Sequence, residues 1–126
     1  MRNRIATILL AGLAAACSST NAPDERMCTL IGCSSGLSIA IEGPADGPFT
    51  IEASDGSVME TFACPAGARC ERATFDEFTP EQVTVRVIAG GDTATTTSTP
   101  TYTTLQPNGP GCPPTCRQAT VQARKP

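Results

Sequence analysis

Apolar and polar residues alternate along most of the chain beyond residue 36, and this period of two predicts β-strands rather than helices. Three segments show the alternation most clearly, with apolar positions at Leu37, Ile39 and Ile41, at Phe49, Ile51 and Ala53, and at Val83, Val85 and Val87. Side chains at positions i and i+2 share one face of a strand, so each segment is expected to bury one face and expose the other. Weaker strands are expected over residues 57–63, 69–75, 93–97, 100–106 and 117–123.

Turns rich in glycine and proline separate these short segments. Residues 43–48 and 107–111 combine both residue types, and Gly90-Gly91-Asp92 forms another turn. Asp55-Gly56 is a hairpin signal, because both residues tolerate a positive φ. No stretch beyond residue 17 has the periodicity of an amphipathic helix. The pattern predicts an all-β fold, either a small barrel or, in the interpretation that we favour, a single antiparallel β-sandwich of about seven or eight short strands.

The first 16 residues have a different pattern. Arg2 and Arg4 precede an apolar run of about a dozen residues, which ends in three alanines. A positive start, a short apolar stretch and small residues predict a cleaved secretory signal peptide over residues 1–16. A transmembrane helix needs roughly 20 apolar residues, so the run is too short to span a bilayer. Loss of Arg2 and Arg4 would change the net charge from −3 to −5, and the absence of a basic stripe argues against nucleic acid as a partner.

The residues Leu13-Ala14-Ala15-Ala16-Cys17 resemble the lipobox of bacterial lipoproteins, with a departure at Ala14, where Leu is preferred. In that family a diacylglycerol is attached to the cysteine, the chain is cut before it, and the new amino group is usually acylated. The resemblance implies lipidation of Cys17 and anchoring to a membrane of the cell envelope, and Ser18 in place of Asp implies the outer membrane. The alternative is ordinary secretion. A polar, aperiodic stretch follows and predicts a flexible lipidated tether over residues 17–27.

Six further cysteines form three close pairs along the chain: Cys28 and Cys33, Cys64 and Cys70, and Cys112 and Cys116. An even number in a short exported chain predicts disulfides, and the sequence alone does not choose among the pairings. Three local loops are one option. The first and last predicted strands, if parallel and adjacent, would instead bring together the cysteines that precede them. That interpretation, which we favour, pairs Cys28 with Cys112, Cys33 with Cys116 and Cys64 with Cys70.

The chain offers little for catalysis or for a cofactor. It has no His and its only Lys is Lys125, so a nucleophile would lack its usual base, and the twelve carboxylates are scattered. Zinc sites use closer ligand pairs than these cysteines provide. Asp46, Asp55 and Asp92 lie in turns beside Gly, which explains them without a Ca²⁺ site. We therefore expect no enzyme, no cofactor and no metal.

A threonine-rich stretch spans residues 93–104, in which eight of twelve residues are Thr. Threonine suits the exposed faces of strands, so a solvated pair of strands is the simpler interpretation. A glycan-bearing segment is the alternative, because Pro100 and Pro107 accompany the threonines.

The spacing of the predicted strands resembles that of the immunoglobulin-like and transthyretin-like (carboxypeptidase-regulatory-like) domains of bacterial envelope proteins. A strand that contains Tyr102 and is followed by a turn adds to this resemblance. The resemblance is general, and the buried Trp of antibody domains is absent because the chain has no Trp. We expect the sandwich to occupy residues 28–123 and a disordered tail to occupy residues 124–126. Most of the few aromatic rings are expected in the core, Phe49 and Phe62 in particular.

Two functions remain open after these exclusions. The first is a membrane-anchored envelope lipoprotein that displays a non-catalytic module, either structural or able to bind an unidentified protein or glycan, for instance by strand addition at a sheet edge. The second is a small disulfide-rich inhibitor of a hydrolase such as a protease. For that function we nominate the loop at residues 106–114, with Asn108 as a contact, because proline and flanking cysteines would stiffen it.

Overall fold

The computed structural model describes residues 27–126, which form eight β-strands and no helix. In chain order these are β1 (Gly36–Glu42), β2 (Phe49–Ser54), β3 (Met59–Cys64), β4 (Arg72–Asp76), β5 (Val83–Ala89), β6 (Asp92–Ser98), β7 (Thr103–Leu105) and β8 (Cys116–Arg124). The all-β prediction is confirmed, and each expected strand is present with its ends shifted by a few residues. The predicted signal peptide, Cys17 and the tether up to residue 26 lie outside the described residues.

The strands form a sandwich of two four-stranded sheets. The order is β4-β1-β8-β7 in the first sheet and β3-β2-β5-β6 in the second. Neighbouring strands are antiparallel except for β1 and β8, which run parallel with Gly36 opposite Gln118 and Glu42 opposite Arg124. The sandwich is therefore mixed and not purely antiparallel as predicted. Its one parallel pair consists of the first and last strands, which is the pairing assumed in the favoured disulfide pattern.

Side chains from the inner faces of both sheets form the core. Most of its fully buried side chains come from the alternating positions of the sequence: Leu37, Ile39, Ile51, Val83, Val85 and Val87. Burial of one such side chain contributes about 1.5–3 kcal/mol. Because β1 and β8 are parallel and in register, Ile39 and Val121 lie side by side on the inner face of the first sheet.

All four phenylalanines contact this core. Phe49, Phe75 and Phe78 are buried, and the rings of Phe75 and Phe78 meet edge to face with their centres 6.4 Å apart. Phe62 is only partly buried, because it lies on β3, an edge strand of the second sheet. The expectation for Phe49 is confirmed, and that for Phe62 holds in part.

The Asp55-Gly56 hairpin joins β2 to β3 as expected, but its turn differs from the predicted one. The register of the two strands leaves a loop of four residues, and within it only Gly56 has a positive φ, 97°. The Asp55 carboxylate accepts hydrogen bonds from the backbone N–H groups of Ser57 and Val58, at 2.8 and 2.7 Å. The turn is therefore shaped by the side chain of Asp55 and not by a left-handed backbone at that residue.

Two of the last three residues, Arg124 and Lys125, are tied to the sandwich, although a disordered tail was expected at residues 124–126. Arg124 is the final residue of β8 and forms an ion pair with β1. The Lys125 ammonium donates a hydrogen bond to the Asp46 carbonyl oxygen at 2.8 Å and lies 5.4 Å from the centre of the Phe49 ring. The sequence pattern missed these contacts, because charged residues add no apolar position that would extend the strand.

The threonine-rich stretch is divided between the two sheets. Its first part forms β6, an edge strand that pairs with β5, and its last part includes β7, which pairs with β8. The expected strand pair is therefore wrong, since β6 and β7 do not pair with one another. Most side chains of β6 are exposed, and Tyr102 lies just before β7 with its hydroxyl donating to the Pro80 carbonyl oxygen at 2.8 Å.

Candidate functional site

Most of the cysteines meet at one end of the sandwich. Three disulfides are present: Cys28–Cys112, Cys33–Cys116 and Cys64–Cys70. The first two are called the long-range disulfides below, and the third the local disulfide. This is the pairing favoured from the sequence. Its cause is the parallel register of β1 and β8, which starts both strands at the same end and brings together the segments that precede them.

Residues 28–33 are called the clamped loop below. They contain no strand, turn or bridge. One end is bonded to Cys112, before β8, and the other to Cys116, the first residue of β8. The residues after the loop are held by hydrogen bonds. Gln118 Nε2 donates to the Ser34 carbonyl oxygen at 2.8 Å, and the Glu77 backbone N–H donates to the Ser35 carbonyl oxygen at 2.8 Å. The clamped loop is therefore fixed in place without belonging to a sheet.

The Asn108 side chain ties the middle of the clamped loop to the loop at residues 106–114. Its Oδ1 accepts hydrogen bonds from the Ile31 backbone N–H at 2.9 Å and from the Thr29 hydroxyl at 2.6 Å. Its Nδ2 donates to the carbonyl oxygens of Ile31 at 2.8 Å and Pro113 at 2.7 Å. These bonds use both lone pairs and both N–H groups of the amide. Asn108 was nominated from the sequence as a contact for a protease, but its amide already forms all of its hydrogen bonds within the protein.

The side chains that the clamped loop presents to solvent include two large apolar ones. Leu30 is 99% exposed and Ile31 is 56% exposed. Within residues 27–126, the backbone N–H and C=O of Leu30 have no hydrogen-bond partner. The centre of a covalently fixed loop is therefore open to solvent in both its side chain and its backbone.

A groove lined mainly by residues with polar side chains, together with Leu105 and Ala119, runs along the outer face of the β4-β1-β8-β7 sheet and is called the outer groove below. Its volume is about 490 Å³. Small residues of β1, Gly36 and Ser38, form its floor, because the larger side chains of β1 point into the core. The neighbouring strands β4 and β8 form its sides, and their charged and amide side chains are Arg72, Asp76 and Gln118.

The floor of the outer groove depends on Gly36. A Cβ atom at this position would lie 2.4 Å from the backbone carbonyl oxygen of Phe75, so a side chain would push β1 away from β4. Gly36 lies opposite both Asp76 and Gln118 in the register of the sheet. Glycine is therefore required for the close approach of the strands, and it leaves no side chain between Asp76 and Gln118.

Hydrogen-bonding groups line the rest of the outer groove. The hydroxyl oxygens of Ser38 and Thr74 are 3.1 Å apart, and Arg72 Nη1 donates a long hydrogen bond of 3.5 Å to the Thr120 hydroxyl. Within residues 27–126, Arg72 forms no ion pair, unlike Arg69, Arg86 and Arg124. A guanidinium has five N–H donors, so Arg72 retains donors for a ligand.

Shifted pKa values occur at the β2–β3 hairpin and beside β7. Backbone hydrogen bonds from Val58 and Ser57 lower the pKa of Asp55. Burial raises the pKa of Tyr102, against the smaller opposing effect of the Arg117 charge, which lies 4.7 Å from the centre of the ring. Neither Asp55 nor Tyr102 lines the outer groove, so these shifts reflect local structure.

The acidic residues considered for Ca²⁺ do not converge. Asp46 and Asp55 lie in separate loops and Asp92 begins β6, and residues 27–126 contain no group of three or more side chains that could hold a metal ion. The same part of the chain contains no helix that is long and apolar enough to cross a bilayer.

Sequence reasoning missed both the outer groove and the clamped loop. The outward residues were interpreted as solvated faces, and only the pairing of β1 with β4 and β8 brings Arg72, Asp76 and Gln118 to one surface. The one available signal for the clamped loop was the apolar pair Leu30-Ile31 between two cysteines. Such a pair is too short to predict burial, and single exposed apolar residues are common.

Comparison with known proteins identified no relative: no family model, no curated protein and no solved structure matches this chain. Function is therefore inferred from the chain's own residues.

Proposed function

We propose that this chain is a membrane-anchored envelope lipoprotein that displays a non-catalytic β-sandwich module, and that the module binds a hydroxyl-rich glycan in the outer groove. The observation that carries the binding part is the outer groove, which lies on a paired sheet and is lined mainly by residues with polar side chains. The anchoring part rests on Cys17 and the segment before it, which resemble a lipobox.

The side chains of the outer groove suit a ligand that presents many hydroxyl groups. Several hydroxyls that both donate and accept line the groove: Ser34, Ser35, Ser38, Thr74, Thr101, Thr103 and Thr120. Arg72 adds donors, Asp76 adds acceptors, and Gln118 adds both. The volume of about 490 Å³ lies within the range of about 300–1,000 Å³ that is usual for small-molecule sites. Among residues 27–126 no aromatic ring lines the groove, so hydrogen bonds rather than ring stacking would determine the choice of ligand.

The tether supports display of the module at some distance from the membrane. The eleven residues 17–27 span ten steps between Cα atoms, so the tether would reach at most roughly 35 Å when fully extended. The residue that follows the tether, Cys28, lies at the end with the long-range disulfides. A polar tether of this reach would let the sandwich turn, so that the outer groove can face glycan in the envelope.

The strand order distinguishes between the two resemblances, to immunoglobulin-like and to transthyretin-like domains. In constant-type immunoglobulin domains the first and second strands share a sheet, whereas β1 and β2 lie in opposite sheets here. Of the two resemblances, we therefore keep the transthyretin-like one as the proposal for the fold family. It is a proposal about fold alone, since a sandwich hosts many unrelated functions.

Binding of the full-length protein to an array of envelope polysaccharides tests the outer groove. Arg72→Ala should weaken binding by about tenfold or more, because a hydrogen bond to a charged group contributes about 1.5–3 kcal/mol. Arg69→Ala is the matched control, because Arg69 lies outside the groove and pairs with Glu71. Equal binding by the two variants, or no glycan retained by the parent protein, would contradict the proposal.

Mass spectrometry of the intact protein tests the anchor. The mature chain should begin at an acylated Cys17, with the other six cysteines oxidised. Cys17→Ser should abolish acylation and release the protein from the membrane fraction, whereas Cys64→Ser should leave acylation unchanged. A chain without acyl groups in the parent protein would exclude the lipoprotein assignment.

A hydrolase inhibitor is the second candidate function, and the clamped loop is the observation that favours it. The loop first nominated for contact, residues 106–114, uses Asn108 internally and thereby supports the neighbouring clamped loop. Two large exposed apolar side chains, Leu30 and Ile31, lie in the clamped loop itself.

A further inference from the structure

We propose that the clamped loop is a protease-docking element, which enters the substrate cleft of a serine endopeptidase with Leu30 in an apolar specificity pocket. This inference rests on the second candidate function, hydrolase inhibition, and moves its contact from residues 106–114 to residues 28–33. It is independent of the glycan proposal, because the outer groove is lined from Ser34 onward and shares no residue with the clamped loop.

A substrate-like ligand of an endopeptidase presents one side chain to the specificity pocket of the enzyme. Leu30 is 99% exposed although it is large and apolar. Transfer of such a side chain from water into an apolar pocket is favourable, since its apolar surface leaves water. Serine endopeptidases differ in this pocket, which holds a carboxylate in trypsin and is hydrophobic in chymotrypsin. Leu30 fits the hydrophobic kind.

The backbone of the clamped loop is also open where a protease would pair with it. Extended peptides bind to their partners through main-chain hydrogen bonds, as in strand addition. Within residues 27–126, the N–H and C=O of Leu30 have no partner, whereas those of Ile31 are both held by Asn108. The residue to be recognised is therefore accessible, and the residue after it is fixed.

The clamped loop is ordered before any partner binds. Its ends are bonded to Cys112 and Cys116, and the Asn108 amide holds its middle. A preformed loop loses less conformational entropy on binding, which raises affinity. Protease–inhibitor pairs are accordingly among the tightest complexes for an interface of standard size. The same residues in a flexible loop would be bound weakly and cleaved.

A lipid surface is the competing partner for an exposed Leu-Ile pair on a lipoprotein. Segments that bind membrane surfaces combine apolar residues with Lys or Arg, which contact anionic headgroups. Residues 28–33 contain no charged side chain. Insertion into lipid would also gain nothing from the hydrogen bonds of Asn108. A protease accounts for both observations, and lipid accounts for neither.

Inhibition assays with chymotrypsin and trypsin test the role of Leu30. The full-length oxidised protein should inhibit chymotrypsin and not trypsin, because of their different pockets. Leu30→Arg should reverse this preference, with chymotrypsin inhibition weakened and trypsin inhibition strengthened by about tenfold or more. Met59→Arg is the matched control, because Met59 is also exposed, at 61%, but lies on β3. It should leave the preference unchanged.

Loss of the Asn108 clamp should turn the inhibitor into a substrate. In Asn108→Ala, chymotrypsin should hydrolyse the Leu30–Ile31 peptide bond faster, which adds one water and leaves the two pieces joined by the Cys28–Cys112 disulfide. Mass spectrometry after reduction then detects two fragments. Gln106→Ala is the control, because Gln106 lies in the same loop and its side chain, within residues 27–126, makes only a 3.5 Å hydrogen bond to Thr115. An Asn108→Ala protein with an unchanged circular dichroism spectrum that is cleaved no faster would contradict the clamp.

Each negative result contradicts a different part of the proposal: the inhibitor function, the role of Leu30, or the choice of a protease as the partner. No inhibition of chymotrypsin-, subtilisin- or elastase-type enzymes at micromolar protein would remove the inhibitor function together with this inference. Inhibition that is the same in Leu30→Arg would keep the inhibitor function and remove Leu30 as its contact. Binding of Cys17→Ser protein to neutral phosphatidylcholine vesicles, abolished by Leu30→Arg, would assign the clamped loop to the membrane instead. None of these results bears on glycan binding in the outer groove.

Discussion

The two ends of the sandwich are held in different ways. At the end where β1 and β8 begin, the long-range disulfides link residues 84 and 83 positions apart. At the end where these strands finish, the local disulfide links residues six positions apart. It lies next to a backbone hydrogen bond of 2.8 Å from the Cys70 N–H to the carbonyl oxygen of the buried Ala45. Order at the first end therefore depends on covalent links, and at the second end on ordinary packing.

This difference shows two uses of disulfides in one small domain. Cys64 of the local disulfide is 2% exposed and belongs to the core, so its bond adds to a region that burial already stabilises. Cys112 and Cys116 are also buried, but the clamped loop that they hold is not, since Leu30 is 99% and Ile31 56% exposed. Disulfides compensate for a missing core there, as they do in many small exported domains.

The largest effect is expected when both long-range disulfides are removed. With all four of their cysteines replaced by Ala, the free energy of unfolding should fall by about 7 kcal/mol. One disulfide closes a loop of about 85 residues, and the other then closes a ring of about 11. Because domains are stable by only about 5–15 kcal/mol, this variant should lose its cooperative urea transition. A retained transition with a loss below about 3 kcal/mol would show that packing holds this end as well.

Removal of a single long-range disulfide should have a much smaller effect. The remaining one still closes the long loop, so the loss should be about 3 kcal/mol. This is close to the loss of about 2 kcal/mol expected for the local disulfide, whose loop has about seven residues. Urea unfolding of the three variants should therefore give similar stabilities. A loss of about 4.5 kcal/mol from either single long-range disulfide would mean that the two act independently.

Asn108→Ala should loosen the clamped loop and leave the opposite end unchanged. The loss should be about 1–3 kcal/mol, because the hydrogen bonds lie at the surface and water replaces part of them. Hydrogen exchange at the Ile31 N–H should accelerate, since this group is held by the Asn108 amide. Gln106→Ala serves again as the control. Unchanged exchange at Ile31 in Asn108→Ala would show that the disulfides alone order the loop.

The smallest effect concerns acid and the β2–β3 hairpin. Backbone hydrogen bonds from Val58 and Ser57 lower the pKa of Asp55 from its ordinary 3.8. A lowered folded-state pKa contributes stability above the ordinary value, and this is lost as the pH falls through the lowered value. An NMR titration should show the Asp55 carboxyl protonating below pH 3.8, together with shifts at the Ser57 and Val58 amides. Asp55→Asn, which keeps an acceptor oxygen, should remove this pH dependence.

The sequence predicts the strands and the presence of disulfides, although not their pairing by itself, for physical reasons that can be stated. Alternation of apolar residues locates the strands because burial on one face requires it. The pairing of the six cysteines follows from one added assumption, a parallel pairing of the first and last strands, which the structure contains. The positions of the cysteines, and not the local propensity for strands, indicate this parallel pairing. Adjacent parallel strands begin at the same end of a sheet, so the cysteines that precede the two strands come together there.

The candidate sites were less predictable, because they depend on contacts between distant residues. Asn108 stands in a Pro-Asn-Gly-Pro sequence, where its residue type predicts a turn, and its partner Ile31 lies 77 positions away. The depth of the outer groove depends on Gly36, whose role appears only when the carbonyl of Phe75 is placed beside it. Neither the Asn108 contacts nor the close approach of the strands at Gly36 produces a repeating pattern of residues in the sequence.

The disulfide between Cys28 and Cys112 has a mechanical consequence. Tension applied between an N-terminal anchor and the C-terminus would pass from Cys28 directly to Cys112, and the seven strands between these residues would carry none of it. Only β8 and the residues after it could be drawn out, by at most roughly 35 Å. In the oxidised protein most of the sandwich would stay folded under a pulling force, whereas the reduced protein would extend from β1 onward.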